Sequence, residues 1–204
     1  MSRANGIEFI RLCKRVRDTI GQRHRHAHTL RVARLAVRLS RRHGENVDRA
    51  RLAGMLHDLA RLWPPERLLA EAEARGLALD AFDREHPRVL HARIGAELAR
   101  EQFGVDDVRV LSAIRAHTLG SGSMSRLDAI IYMADSVEPG RDFAERAQLE
   151  RLAFEDLNAA MRATLSSTIA HYGASGNPLS PATAAALAQF SHKGAENWLI
   201  STTS

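Results

Sequence analysis

The stretch Leu52-Ala53-Gly54-Met55-Leu56-His57-Asp58-Leu59-Ala60-Arg61 decides how the chain is read. Leu52, Met55, Leu56 and Leu59 recur at helical spacing, so one face of the segment turns toward a core. His57 and Asp58 stand at the end of that apolar face. A charged carboxylate beside a core-facing surface is costly unless something pairs with it. A metal ion meets that need, because imidazole and carboxylate are ligands for Zn, Fe or Mn. Adjacent helical residues project about 100° apart. Both side chains therefore reach one ion only near a helix end or cleft, and other helices must supply the remaining ligands.

On either side of this stretch, Gly, Pro and small polar clusters punctuate long runs of good helix formers, and no run alternates with period two. The chain reads as all-α, with helices expected at about 4–20, 28–43, 47–60, 65–75, 88–103, 107–118, 125–137, 145–172 and 181–199. Gly44 and Gly104 suit left-handed C-terminal caps. Asp48, Asp106 and Ser125 suit N-caps, and Pro65 suits a first helical turn. Pro139 and Gly140 end another helix, and Leu119 to Ser123 reads as a flexible loop. With no repeat, low-complexity tail or linker, residues 1–204 are expected to form one helical bundle. Its core would span about 20–145, and packing helices about 145–200.

Charge points less clearly. The 204 residues carry 29 Lys and Arg against 24 Asp and Glu, a net charge of +5. Lys14 and Lys193 are the only lysines, so 27 of the basic residues are arginines. The sequence pI near 10.3 suggests nucleic acid, yet the high pKa of arginine inflates it and the arginines are interleaved with acids. An Arg-rich RNA-binding protein gives no account of the histidines, and no nucleic-acid partner is expected. The single cysteine, Cys13, excludes an internal disulfide and a Cys-based zinc site and suits packing on the first helix. Charges run throughout Met1 to Ile20, and no stretch approaches the roughly 18 apolar residues of a membrane span, so no signal peptide or membrane contact is expected and a cytoplasmic location is.

Ten histidines are present. His43, His86, His171 and His192 read as surface or half-buried residues with ordinary hydrogen bonds, and His24 and His26 as part of a basic turn. The others fall in a different setting. His28 begins a helix, His91 follows Pro87, His117 ends Ile114-Arg115-Ala116-His117, and Asp135 follows the apolar run Ala129 to Ala134. A lone His-Asp pair is usually a hydrogen-bonded neighbour pair; an ordered set on successive helices is not.

In this order the residues resemble the HD phosphohydrolase superfamily, whose pattern is a His, a His-Asp doublet and a distant Asp. The resemblance extends to its YqeK-type branch of symmetrical dinucleoside tetraphosphatases. It is carried by Arg25-His26-Ala27-His28-Thr29-Leu30-Arg31-Val32, Ala53 to Arg61, and Leu90-His91-Ala92-Arg93-Ile94-Gly95-Ala96. It continues in Ala113-Ile114-Arg115-Ala116-His117-Thr118-Leu119-Gly120 and Ile131-Tyr132-Met133-Ala134-Asp135-Ser136-Val137-Glu138-Pro139-Gly140-Arg141. Two departures stand out: Arg61 where the family usually has Lys, and Ala92 where Gly is expected.

The resemblance implies an HD-domain bundle with its metal site between core helices. His28, His57, Asp58 and Asp135 would hold a first metal, and His91 and His117 a second, with Asp58 bridging. Iron is the ion implied by the branch; ligand chemistry leaves Mn and Zn open. The implied reaction is hydrolysis of diadenosine tetraphosphate by metal-activated water to two ADP, with Asp58 and Arg61 catalytic. Arg25, Arg61 and Arg141 would contact phosphate through bidentate guanidinium groups. Thr118 and Gly120 would let hydroxyl and backbone approach the nucleotide. Glu138 is open between an ion pair with Arg141 and a ligand contact. Trp63 and Tyr132 offer faces for a base, but aromatics on helices mostly serve the core and both stay outside the site. The small-molecule nucleotide substrate is the expected partner, and a homodimer stays open. The alternatives are another HD phosphohydrolase acting on a nucleotide or guanosine alarmone, or a nucleotide-sensing HD domain without turnover.

Overall fold

Apolar stripes at helical spacing become helices throughout the computed structural model, which describes residues 3–176 and 178–191. The order is α1 (Arg3–Ile20), α2 (Arg23–His43), α3 (Val47–Leu56), α4 (Pro65–Ala74), α5 (Ala81–Glu85) and a 3-10 turn at Pro87–Leu90. It continues α6 (His91–Phe103), α7 (Val108–Ala116), α8 (Arg126–Val137), α9 (Arg146–Glu155), α10 (Leu157–Ala174) and α11 (Pro181–Ser191). No strand occurs among the described residues, and no described helix is long and apolar enough to cross a membrane.

The core forms around α8, whose Leu127, Ala129 to Ala134 and Val137 are all buried. A helix apolar on nearly every side must be covered on every side, and α2, α3, α7, α9 and α10 all pack on it. α2 buries Val32, Leu35, Ala36 and Leu39 along one stripe. It crosses α3 closely because Gly54 has no side chain: a Cβ there would lie 2.8 Å from Ala33 Cα. Cys13 is half-buried against this core, as expected.

Several boundaries differ from the sequence expectation. The third helix stops at Leu56 rather than 60, and the chain passes through turns from His57 to Leu62. The expected helix at 145–172 is two helices, because Asp156 adopts an extended conformation and accepts a hydrogen bond from Ala159 N, capping α10. The side chain capping α3 is Asn46, not Asp48, and the one capping α7 is Asp107, not Asp106. Ser125 caps α8 in a reciprocal pair with Asp128, and Gly44 and Gly104 take left-handed caps, as expected. α5 was not expected; Asp80 and Asp83 cap it reciprocally. His24 and His26 lie in the first turn of α2 rather than in a basic turn before it. His192 and the expected helix end at 199 lie outside the described residues.

The segment Leu119 to Ser123 is irregular, but α11 ties it down. Thr183 Oγ1 donates to Leu119 O at 3.0 Å, and the Gln189 amide bonds both N and O of Met124 at 2.7 and 2.9 Å.

Candidate metal centre

Where helices end, side chains are freed from the stacking of the next turn, and the candidate ligands sit mostly at ends. His57 closes α3 and Asp58 follows in the turn; His91 opens α6; His117 closes α7. Asp135 is in the last turn of α8, and His28 in the second turn of α2. Gly95 lets α6 approach the His57 turn, since a Cβ there would lie 3.2 Å from His57 O. All six candidate ligands converge on one point in the fold.

Asp58 is at its centre, 3% exposed. Its Oδ2 faces His57 Nε2 at 3.4 Å and His28 Nε2 at 3.7 Å, while its Oδ1 faces His91 Nε2 at 3.5 Å and His117 Nε2 at 3.7 Å. Asp135 Oδ1 adds a contact of 3.0 Å to His28 Nε2 and 3.8 Å to His57 Nε2. The two oxygens of one carboxylate thus each look at their own pair of imidazoles.

The second ring nitrogen of each histidine tells which tautomer is present. His57 Nδ1 donates to Gly54 O at 2.8 Å, His91 Nδ1 to Arg88 O at 2.7 Å and His117 Nδ1 to Ile114 O at 2.7 Å. A carbonyl only accepts, so those Nδ1 atoms carry hydrogen, and in the neutral form of such a ring the Nε2 lone pair is free to ligate. His28 Nδ1 does the same toward Glu138 Oε1 at 3.0 Å. Yet His28 and His57 meet Nε2 to Nε2 at 3.3 Å, and His91 and His117 at 3.2 Å. Facing lone pairs repel unless a cation lies between them. The donor set therefore fits metal: neutral imidazoles and carboxylates, with no thiolate.

The buried charges act on one another: at His57, burial lowers the pKa but Asp58 and Asp135 outweigh it and raise it. Burial pushes Asp58 and Asp135 upward, but the surrounding histidines, and Arg141 at Asp135, hold both carboxyls well below the usual range. His91 is pulled down to about 3 by burial and by neighbouring His117, so it is neutral.

Glu138 is the functional residue that sequence reasoning left unplaced. It is 1% exposed and does not pair with Arg141. It receives His28 Nδ1 at 3.0 Å, Arg31 Nε at 2.5 Å and Gly140 N at 2.6 Å. Despite the opposing effect of burial, Arg31 and His28 bring its carboxyl down to about 2. A metal-ligating histidine commonly donates its other N–H to a carboxylate in this way. Local spacing gave no such signal, because Glu138 follows the last residue of α8 in an extended conformation and its side-chain partners His28 and Arg31 lie on α2.

The ligands open on one side into a cleft of about 200 Å³. Arg25, Arg61, Thr118 and Arg141 line it, together with Tyr132 and Ser136, which were not expected there. Arg25 Nη1 lies 3.0 Å from Asp58 Oδ2, and Arg141 Nη2 lies 2.5 Å from Asp135 Oδ1. Arg61 has no carboxylate in ion-pair range among the described residues. Thr118 Oγ1 is 3.1 Å from His117 Nε2. Gly120 stands apart: it lines an adjoining cavity, with φ +74° and no room for a Cβ beside Ala186. Trp63 is also elsewhere, its ring covered by the Arg67 guanidinium at 3.5 Å.

Comparison with known proteins agrees with this geometry. The HD domain family model matches residues 25–140. The chain is 32% identical over 178 residues to the symmetrical bis(5'-nucleosyl)-tetraphosphatase of Bacillus subtilis (strain 168), covering 87% of this chain and 90% of that one. It is 34% identical over 167 residues to the protein of the same name from Halalkalibacterium halodurans, covering 79% and 86%. Among solved structures, a "predicted HD superfamily hydrolase involved in NAD metabolism" from Clostridium acetobutylicum superposes with a TM-score of 0.85 at 35% identity, covering 89% of this chain and 96% of that one.

Proposed function

The chain belongs to the HD domain family, and from that premise we propose that it is a metal-dependent hydrolase that cleaves dinucleoside tetraphosphates, diadenosine tetraphosphate among them, symmetrically into two nucleoside diphosphates. The observation that carries this reading is Asp58, whose two oxygens each face a pair of imidazole Nε2 atoms at the floor of an arginine-lined cleft. The names of the relatives from Bacillus and Halalkalibacterium support the substrate class.

His28, His57, Asp58 and Asp135 would hold one ion, and Asp58, His91 and His117 a second. Iron is the ion we propose, on the resemblance to the dinucleoside tetraphosphatase branch; a ligand set of imidazole and carboxylate also accommodates Mn or Zn. A bound ion of this kind lowers the pKa of water from about 15.7 toward 7 and polarises a phosphoryl oxygen. Arg25, Arg61 and Arg141 hold the phosphate chain, since guanidinium groups meet phosphate oxygens in bidentate pairs. They also meet the charge that grows on the phosphoryl oxygens in the transition state. Tyr132 stays a neutral phenol on the cleft wall, because burial and then Asp135 raise it to about 12. Thr118 offers its hydroxyl beside His117. Water oxygen bonds to one central phosphorus, the bridging oxygen departs with the other half as a diphosphate, and the released proton passes to solvent.

We read residues 1–204 as one domain working in the cytoplasm; light scattering decides between a monomer and a homodimer. The reaction is tested by product analysis on diadenosine tetraphosphate with elemental analysis of the purified protein. Two ADP with no monophosphate or pyrophosphate, and at least one ion per chain, are expected. Asp58→Ala should abolish both hydrolysis and metal retention while leaving helical circular dichroism unchanged. Wild-type activity in that variant would refute the site.

A further inference from the structure

Thr118 stands on two walls at once. Its hydroxyl borders the metal cleft, 3.2 Å from His91 Nε2, and the same residue lines a second cavity of about 220 Å³. The two cavities differ in kind. No aliphatic side chain lines the metal cleft, which is arginine, histidine and carboxylate with one phenol and two hydroxyls. The second is walled by Phe82 and His86, their rings 4.6 Å apart and tilted by 47°, and by Leu119, Tyr172 and Leu179. Tyr172 and Leu179 are 44% and 39% exposed, two of the six large hydrophobic side chains left in solvent among the described residues.

A nucleotide needs both surfaces. Its phosphates suit the arginine-lined cleft, whereas a base gains most from stacking on aromatic faces. The metal cleft offers no free aromatic face of that sort, since its one phenol, Tyr132, is buried. We propose that one nucleoside of the substrate lies in the second cavity, its base against Phe82, His86 and Tyr172, with its diphosphate passing over Thr118 into the metal cleft. This rests on the reading of the chain as a dinucleoside tetraphosphatase. In this arrangement α10 and the segment before α11 supply the wall that makes a phosphate site a nucleotide site.

The test compares the metal-loaded wild type with Phe82→Ala, Tyr172→Ala and Tyr172→Phe by calorimetry, using ADP and inorganic pyrophosphate as probes. Neither position touches a metal ligand, and Tyr172 is exposed enough to be truncated without loss of fold. Wild type should bind ADP more tightly than pyrophosphate. Each alanine variant should weaken ADP binding about five- to hundredfold, the range for loss of a stacking face, and leave pyrophosphate affinity and metal content unchanged. Tyr172→Phe should keep ADP binding, and KM for diadenosine tetraphosphate should rise in the alanine variants with a smaller change in kcat. Equal binding of the two probes by wild type, or unaltered ADP binding in both alanine variants, overturns the subsite. Absence of tetraphosphate hydrolysis by wild type overturns the reaction instead, and the two probes still decide whether the cavity takes a nucleoside.

Discussion

Glu138 shows what a single residue contributes without touching substrate. Its carboxylate fixes His28 by accepting from Nδ1, and Arg31 fixes the carboxylate in turn. Glu138→Gln keeps the shape but removes the charge that favours the Nδ1–H tautomer. Metal affinity should fall about 10- to 100-fold, the usual cost of losing such a partner, measured by competition with a chelator; unchanged affinity would show that His28 needs no such support. The six candidate ligands were legible from residue type and order. Glu138 was visible as a residue near Arg141, but its real partners lie more than a hundred positions away, beyond anything local spacing reports.

At the scale of elements, two glycines set how closely the ligand-bearing helices approach. A methyl at Gly54 would meet backbone of α2 at 2.8 Å, whereas one at Gly95 would meet His57 O at 3.2 Å. Gly54→Ala is therefore expected to cost about 1–3 kcal/mol through overpacking and to weaken metal binding, because α3 moves His57 relative to His28. Gly95→Ala should cost less. Denaturant midpoints and metal titration of both variants check the order, and equal effects would refute the close crossing as their cause. The helices themselves were largely readable from apolar spacing and cap residues. Their ends were less so: the stop at Leu56 places His57 and Asp58 in a turn, and Asp156 divides one expected helix into two. The second break is local in origin, since the Asp156 side chain accepts from Ala159 N and starts a new helix.

For the whole molecule, burying this many titratable groups makes stability depend on pH. His91 has a folded pKa of about 3, below the roughly 6.5 of an unfolded histidine. Between those values the unfolded chain binds the extra proton, so this contribution is lost as pH falls through the window. His57 works the other way: burial lowers its pKa, but Asp58 outweighs this and raises it, so its contribution is lost as pH rises. With metal removed by a chelator, His91→Gln should therefore lose less stability than wild type between about pH 7 and pH 5, read as the difference in urea midpoints. An equal loss in both proteins would show that His91 is not held neutral.

The sequence by itself determined the all-α class and offered the imidazole and carboxylate groups of the candidate ligand set, because these depend on residue type, period and order. The net charge of +5 was the weaker signal, since it does not say where the arginines stand. Only the tertiary structure decided that Asp58 turns one oxygen to each histidine pair, that Glu138 serves His28, and that an aromatic cavity adjoins the metal cleft across Thr118. Each of these depends on the distance between helices far apart in the chain. Packing sets that distance, and in this protein it does so through residues as small as Gly54 and Gly95.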